Sequence, residues 1–378
     1  MDPVATSLAT NIRRRRKELG MTQAELAEQL DYSEKTISKW EKGNGTPPTT
    51  VLPRLAQVLK TGLEQLLYSP ITQFYYLGID GGGTKTEFLL CDGTGQVLSR
   101  AVLGSSNPND VGIDTTLEVL RAGILQVCGA YPMHSIRVFA GLAGNETYDG
   151  GQAVRRFLSQ FGFAYADCGS DARSAVAASL ADQDGVCVIL GTGAVAYTQL
   201  DGKLHRFGGY GYFFGDECSG FALGRDAIIA ALRHEDGTGK QTALYPMVTA
   251  ACGTNTVLEH LGTLYAGGKR IIAGFAPLVF EAHSAGDETA DRILQTHCNA
   301  VCQTIRNAAG LLDKNPVRVV FCGGLTVHAE TLLSYIKTQL PEPRFAPTVC
   351  REPMIRGALR LAGLEQPLNG YHKEESKC

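Results

Sequence analysis

Apolar residues recur at every third or fourth position through the first seventy residues of the chain. This spacing predicts helices over residues 7–19 and 22–30, a third helix that begins at Ser33, and two more over residues 51–59 and 63–67. Each helix would have one apolar face. The pattern therefore predicts a small bundle of five helices around a shared core.

The second and third helices carry the most specific local signals in this region. Thr22 and Glu25 have the spacing of a capping box, which fixes the start of the second helix. Only Asp31 and Tyr32 separate it from the third helix, as in a helix-turn-helix. Apolar side chains would hold the two helices together, and these are Leu26, Ala27, Leu30, Ile37 and Trp40.

The pattern changes after a short predicted linker at residues 68–72. Continuous or alternating apolar runs then predict strands at residues 74–77, 87–91, 161–166, 185–190 and 319–322. Helical patterns lie between several of these strands. This alternation predicts an α/β fold for the larger part of the chain.

Composition narrows the class of protein without giving its function. The chain has 378 residues, is 44% hydrophobic and 19% charged, and carries a net charge of -3. It is long enough for two or three domains with buried cores. No apolar run approaches the roughly 20 residues of a membrane helix, and the first residues do not form a signal segment. We therefore expect a cytoplasmic protein with no membrane partner, whose eleven cysteines are reduced and mostly buried.

The stretch Gly-Ile-Asp-Gly-Gly-Gly-Thr-Lys-Thr, residues 78–86, is the strongest chemical signal. Glycines between two strands allow a tight turn and offer backbone N–H groups to an anion, with Asp80 beside them. A P-loop needs Gly directly before the Lys and a helix after it, whereas Thr84 precedes Lys85 and a strand follows. A dinucleotide fingerprint also needs that helix. An ordinary Gly-rich hairpin remains the alternative for this stretch alone.

Further glycine motifs follow in a fixed order: Gly-Thr-Gly at residues 191–193, Gly-Gly-Tyr-Gly at 208–211, Gly-Asp-Glu-Cys-Ser at 215–219 and Gly-Gly at 323–324. Together the motifs resemble those of the sugar kinase, hexokinase, heat-shock chaperone and actin superfamily. They are most similar to the BadF/BadG/BcrA/BcrD ATPase family and its N-acetylglucosamine kinase members, over about residues 73–363.

The first part of the chain has a resemblance of its own. Residues 6–67 resemble the Cro-like (XRE) helix-turn-helix family through the patterns Thr-Gln-x-x-Leu-Ala and Ile-Ser-x-Trp-Glu-x-Gly. This resemblance implies that the unit binds a DNA operator, normally as one half of a homodimer. The residues that it implies for DNA contact are Gln23, Lys35, Thr36 and Lys39. A module that binds only protein is the alternative.

The two resemblances imply the fold class and the division of the chain. The fold would be α/β, a two-lobed actin-like ATPase (ribonuclease H-like) fold preceded by a small all-α helix-turn-helix domain. A helix near the end of the second lobe would return to pack on the first lobe. The expected division is residues 1–70 for the helix-turn-helix domain, 73–190 for lobe 1, 191–363 for lobe 2 and 364–378 for a tail.

The resemblance also implies ATP and Mg²⁺, together with the residues that bind them. Phosphate contacts fall on Gly81, Gly82, Gly83, Thr84, Lys85, Thr192 and Gly193, and adenosine contacts on Gly323 and Gly324. Metal contacts fall on Asp80 and Glu217. Asp171 would be the catalytic base, although its place at a predicted helix start is also typical of an ordinary N-cap.

The sugar contacts implied by the resemblance are Asn107, Glu146, Gly209 and Asp216. The chain departs from the family around them. Ala194 and Val195 stand where amino-sugar kinases tend to have Ser and Asn, Tyr210 replaces a usual Trp, and Cys218 replaces a common Gly. The phosphate motifs are therefore kept, while the pocket for the acceptor has changed.

The expected function is a sugar-responsive transcription regulator whose large domain phosphorylates an amino sugar or cell-wall sugar. A sensor that binds sugar or ATP without turnover is the main alternative. An ATPase that activates a dehydratase through an iron-sulfur cluster is a third, and it is disfavoured because no cysteine pair lies in a suitable loop.

Overall fold

The computed structural model describes four stretches of the chain, residues 3–67, 73–145, 150–341 and 343–371. The chain forms two compact units, Met1–Gln73 and Phe74–Cys378. The predicted linker, Glu146 and the last part of the predicted tail lie outside the described residues. Within the described stretches, no helix is both long enough and apolar enough to cross a membrane.

The small unit contains the predicted helices. They are α1 (Pro3–Glu18), α2 (Gln23–Leu30), α3 (Glu34–Glu41), α4 (Leu52–Val58) and α5 (Leu63–Leu67). The predicted core residues of α2 and α3 are all buried, and Trp40 is 4% exposed. The capping box is also confirmed, since the Glu25 amide donates to Thr22 Oγ1 at 3.1 Å and the Thr22 amide donates to Glu25 Oε2 at 2.7 Å.

The large unit begins with a sheet whose strand order is β3-β2-β1-β4-β5. The strands are β1 (Tyr75–Gly81), β2 (Thr86–Asp92), β3 (Val97–Leu103), β4 (Ile136–Leu142) and β5 (Tyr165–Gly169). The first three strands form an antiparallel meander, and β4 and β5 add in parallel beside β1. The associated helices are α6 (Pro108–Val111), α7 (Ile113–Cys128), α8 (Gly150–Ser159) and α9 (Asp171–Leu180).

A second sheet repeats this arrangement in the order β8-β7-β6-β9-β10. Its strands are β6 (Gly185–Leu190), β7 (Ala194–Leu200), β8 (Lys203–Phe207), β9 (Val317–Cys322) and β10 (Phe345–Val349). Its helices are α10 (Gly220–Glu235), α11 (Leu244–Cys252), α12 (Leu261–Ala273), α13 (Ala276–Ser284), α14 (Glu288–Ala309) and α15 (Ala329–Gln339). Helices α10 to α14 all lie between β8 and β9 in the chain.

Two predicted boundaries are wrong. The sequence places β6 in lobe 1, but β6 pairs with β7 and β9, so the change of sheet occurs before β6. The strand predicted at residues 161–166 begins instead at Tyr165. Gly162 has a φ of 69° and makes a turn there, while Phe161 packs edge-on against Phe157 at a centroid distance of 5.2 Å. The apolar run therefore reflects packing of a turn.

The last helix, α16 (Met354–Ala362), packs on β1 of the first sheet. Gly78 makes this approach possible, because a Cβ there would lie 2.8 Å from Leu359 Cγ. Arg356 is 1% exposed and donates to the Leu364 and Glu365 carbonyls at 2.8 and 2.6 Å. The described part of the predicted tail is thus fixed against the end of the helix.

Candidate active site

The hairpin turns β1–β2 and β6–β7 open onto one cleft in the large unit, although they belong to different sheets. Most of the predicted site residues line this cleft. They are Asp80, Gly81, Gly82, Gly83, Thr84, Lys85, Asn107, Asp171, Thr192, Gly193, Gly209, Asp216 and Gly323. Sequence motifs separated by more than 200 positions therefore meet at a single site.

The first turn is a tight hairpin. Gly81 pairs with Thr86, and the Gly82 amide donates to the Lys85 carbonyl at 3.0 Å. The Gly82 amide is thus part of the hairpin, and Gly83 and Thr84 form its exposed tip. A Cβ on Gly81 would collide with Ser106 Oγ and Leu142, so this position needs glycine for packing reasons.

Asp80 lies at the end of β1, half-buried between other acidic groups. Burial raises its pKa to about 7, and the negative charges of Asp171 and Glu87 add to this shift. A cation in the cleft would oppose both effects. No group of three His, Cys, Asp or Glu side chains in the described stretches could hold a metal alone. Mg²⁺ carried by ATP needs few protein ligands, since phosphate oxygens and water fill most of its shell, so Asp80 fits this role.

Asp171 is the first residue of α9, and Ser170 is the N-cap. One carboxylate oxygen of Asp171 accepts a hydrogen bond from the Ala172 amide at 2.9 Å. The side chain is exposed and lines the cleft. The positive end of the helix dipole favours a carboxylate at this place. Asp171 is therefore positioned to accept a hydrogen bond from a hydroxyl group in the cleft.

The second turn is held from behind by the start of α10. The Gly191 amide donates to the Gly193 carbonyl at 2.9 Å and closes the turn. The amides of Gly220 and Phe221 donate to the carbonyls of Gly191 and Thr192 at 2.7 and 3.2 Å. Two of the N–H groups at the beginning of the helix are thereby used within the protein.

Asp216 is 4% exposed and forms an ion pair with Lys269, whose Nζ lies 2.8 Å from Oδ2. Sequence reasoning did not find Lys269. It follows Gly268, which has a φ of 60° and interrupts α12. A Cβ on Gly193 would lie 2.9 Å from Asp216 Oδ2 and 3.0 Å from Lys269 Nζ. The ion pair therefore lies directly against the second turn.

Two arginines that the sequence reasoning also missed line the cleft, Arg206 and Arg270. The Arg206 guanidinium donates to the carbonyls of Gly208 and Gly209. It also lies over the Tyr210 ring at 5.9 Å from the centroid. Arg206 comes two positions before the Gly-Gly-Tyr-Gly motif, which is the sequence signal that could have found it, whereas no local motif marks Arg270.

Among the other predicted site residues, Asn107 lines the cleft, whereas Glu217 and Gly324 do not. Asn107 caps α6 by accepting from the Asn109 amide at 3.1 Å and donates to Asp110 at 2.7 Å, so it stabilises the local turn as well as lining the cleft. Glu217 is exposed, and neither it nor Gly324 is part of the cleft lining. Glu146 lies outside the described residues.

On the small unit, the predicted DNA contacts divide into two groups. Lys35 and Lys39 are exposed on α3, whereas the Thr36 hydroxyl lies 2.8 Å from Ser33 Oγ. Gln23 donates to Glu41 Oε2 at 2.7 Å. Burial raises the pKa of Glu41, but hydrogen bonds from Arg16 and Gln23 outweigh it and hold that pKa below its usual value. Gln23 thus also stabilises the bundle.

Comparisons with known proteins agree with this arrangement. The sequence profile of the BadF/BadG/BcrA/BcrD ATPase family matches residues 77–358, and a helix-turn-helix profile matches residues 12–66. An N-acetylmuramic acid/N-acetylglucosamine kinase of Clostridium acetobutylicum is 27% identical over 253 residues, which cover 65% of this chain and 83% of that protein.

Solved structures extend the comparison to the fold. A proposed N-acetylglucosamine kinase from Chromobacterium violaceum is 28% identical, covers 78% of this chain and 100% of its own, and has a TM-score of 0.61. A ROK family transcriptional regulator, a homologue of the E. coli MLC protein, covers 95% of this chain and 96% of its own with a TM-score of 0.52. Its 14% identity makes this a likeness of fold alone. The predicted fold class, a two-lobed α/β unit after an all-helical one, is confirmed.

Proposed function

Because the chain belongs to the BadF/BadG/BcrA/BcrD ATPase family, we propose that its large unit transfers the γ-phosphoryl group of ATP to a hydroxyl of an amino sugar or cell-wall sugar. The observation that carries this proposal is the meeting of two glycine turns and Asp171 in one cleft. Phosphoryl transfer asks a protein mainly for positioning and charge stabilisation, and this cleft offers both.

Each lobe would contribute a different part of the site. The tip of the first turn, with Gly83, Thr84 and Lys85, would bind phosphate oxygens from one side. Thr192 and Gly193 would bind them from the other, and Gly323 would let the nucleoside lie close to the backbone. Asp80 would hold Mg²⁺ through water, and the metal would neutralise phosphate charge.

The acceptor would bind between Asp171 and the second lobe. Asp171 would take the proton of the attacking hydroxyl as the phosphoryl group arrives. Asp216 would accept a hydrogen bond from another sugar hydroxyl, with Gly209 and Asn107 nearby in the same cleft. Ala194 and Val195 line the same cleft and offer apolar contacts where a relative with Ser and Asn would offer polar ones, so the acceptor would differ from the one that such a relative binds.

We also propose that the small unit binds a DNA operator as a homodimer in the cytoplasm and that occupancy of the cleft controls this binding. The helix-turn-helix match and the exposed positions of Lys35 and Lys39 support the DNA contact. Lysine side chains on the second helix of such a motif reach phosphates or base edges in the major groove.

A coupled ATP-consumption assay tests the kinase. N-acetylglucosamine, N-acetylmuramic acid, glucosamine and glucose would be supplied in turn with Mg²⁺, and Asp171→Asn would be the inactive control. We expect turnover with at least one amino sugar. Tight sugar binding by calorimetry without any turnover would instead identify the large unit as a sensor.

A binding assay with DNA tests the small unit. A duplex selected by the wild-type protein from a random pool would be titrated with Lys39→Ala and with Lys203→Ala, which removes an exposed lysine from the large unit. We expect only Lys39→Ala to weaken binding, and to reduce the salt slope by about 1 if it contacts a phosphate. Equal binding by both variants would remove Lys39 from the interface.

A further inference from the structure

The loop that carries Asp216 has an unusual backbone. Asp216 and Cys218 have φ values of 65° and 62°, in the left-handed region that residues with a Cβ rarely adopt. The Ser219 amide donates to the Asp216 carbonyl at 3.1 Å and closes the turn. Strained backbone of this kind persists only where the surrounding structure fixes it. The structure around Cys218 shows what does so.

His297 of α14 holds the loop from behind. Its Nδ1 accepts a hydrogen bond from the Cys218 amide at 3.1 Å. His297 is 5% exposed and the Cys218 side chain is fully buried. A buried amide that loses its acceptor is costly, because no water can replace the bond. His297 therefore stabilises the left-handed conformation at Cys218 directly.

Asp226 of α10 decides which ring nitrogen of His297 can accept. Its Oδ2 lies 2.9 Å from Nε2, and a carboxylate is an acceptor only, so Nε2 carries the proton. The neutral ring then presents a lone pair at Nδ1 to the Cys218 amide. Arg225 bonds Asp226 Oδ1 at 2.8 Å and keeps the carboxylate in place. Arg225, Asp226 and His297 thus form a chain that ends at the loop.

The same loop continues into the helix start that holds the second glycine turn. Ser219 caps α10 by accepting from the Ala222 amide at 3.1 Å. The next amides, of Gly220 and Phe221, hold the carbonyls of Gly191 and Thr192. A shift of the backbone at Cys218 would therefore move Asp216 and also the second glycine turn, at residues 191–193.

We propose that His297, oriented by Asp226, is a positioning residue that sets Asp216 for the acceptor and the turn at residues 191–193 for the phosphates. The kinetic part of this inference rests on the proposed kinase function. The structural part does not, because the hydrogen bond to Cys218 exists whatever the cleft binds.

Two variants of similar size separate positioning from simple packing. His297→Asn keeps an oxygen acceptor close to the place of Nδ1, whereas His297→Leu fills the space without one. Both lose the bond to Asp226. We expect His297→Leu to raise the KM for the sugar about tenfold or more, with a smaller change in kcat, and His297→Asn to restore most of that loss. Equal impairment of the two variants, or wild-type kinetics in both, would overturn the proposal.

Alkylation of Cys218 provides a readout that needs no activity. Folded protein would be treated with iodoacetamide, and modification of each cysteine would be followed by mass spectrometry. We expect faster labelling of Cys218 in His297→Leu than in wild type or His297→Asn, while Cys128, buried under the first sheet, stays slow in all three. Slow labelling of Cys218 in His297→Leu, or equal acceleration at Cys128, would overturn the proposal even if the wild type proved to have no kinase activity.

Discussion

The two sheets of the large unit have the same strand order, yet the charged groups beside their glycine turns come from different parts of the chain. The first turn carries its own charged groups, Asp80 and Lys85, within a few residues of the hairpin tip. The second turn, at residues 191–193, has none. Its nearest charges are Asp216 and Lys269, which come from later segments of the chain.

The difference follows from what is inserted after each meander. Between β3 and β4 the chain adds α6 and α7, whereas between β8 and β9 it adds helices α10 to α14. This helical block supplies Lys269, the start of α10 and His297. The first turn therefore takes its charged groups from one local motif, whereas the second turn takes its charged groups from segments that packing brings to it.

The largest effect is expected where the first lobe supplies the base. Asp171→Asn should reduce kcat by about 10²–10⁴-fold, because an amide cannot take the hydroxyl proton. The measurement is kcat in the ATP-consumption assay, with Asp182→Asn, an exposed Asp on the turn before β6, as control. A variant that keeps a tenth of wild-type activity would mean that the base lies elsewhere.

The glycine of the first turn should matter for folding. Gly81→Ala should lower the free energy of unfolding by about 1–3 kcal/mol, since its Cβ would overpack the buried region around Ser106 and Leu142. Gly82→Ala is the matched control, because the nearest atom to its Cβ would be the Lys85 carbonyl oxygen at 3.7 Å. The measurement is urea unfolding of both variants. Equal unfolding midpoints would show that the groups around Gly81 move enough to accommodate the added Cβ.

The ion pair between Asp216 and Lys269 in the second lobe should affect the KM for the acceptor sugar. Lys269→Met leaves the buried carboxylate of Asp216 without its cation, so we expect the KM for the sugar to rise by about tenfold while kcat changes less. Lys269→Arg keeps the charge and is the control. A fall in KM would show instead that Lys269 competes with the sugar for Asp216.

The smallest effect on stability is expected at the second turn. A Cβ in Gly193→Ala would lie 2.9 Å from Asp216 Oδ2 and 3.0 Å from Lys269 Nζ, a smaller overlap than at Gly81, so the free energy of unfolding should fall by less than in Gly81→Ala. Sugar affinity, measured by calorimetry, should fall because the ion pair must move. A loss of stability as large as that of Gly81→Ala would show that an added Cβ affects the two turns equally.

The sequence by itself determined the parts of the protein whose causes are local. The capping box at Thr22, the helix-turn-helix spacing and the strand-turn-strand around Asp80 all depend on residues within a few positions of one another. The motif order then identified the family, and most of the site residues that it implied line the cleft. Neighbouring side chains and backbone sterics are sufficient to specify such features.

Only the tertiary structure decided the parts that depend on distant contacts. Lys269 reaches Asp216 across 53 positions, and His297 reaches the Cys218 amide across 79. The pairing of β6 with the second sheet and the exposed position of Glu217 are of the same kind. No periodicity or spacing encodes these features, because each arises from the packing of helices and strands that are far apart in the chain.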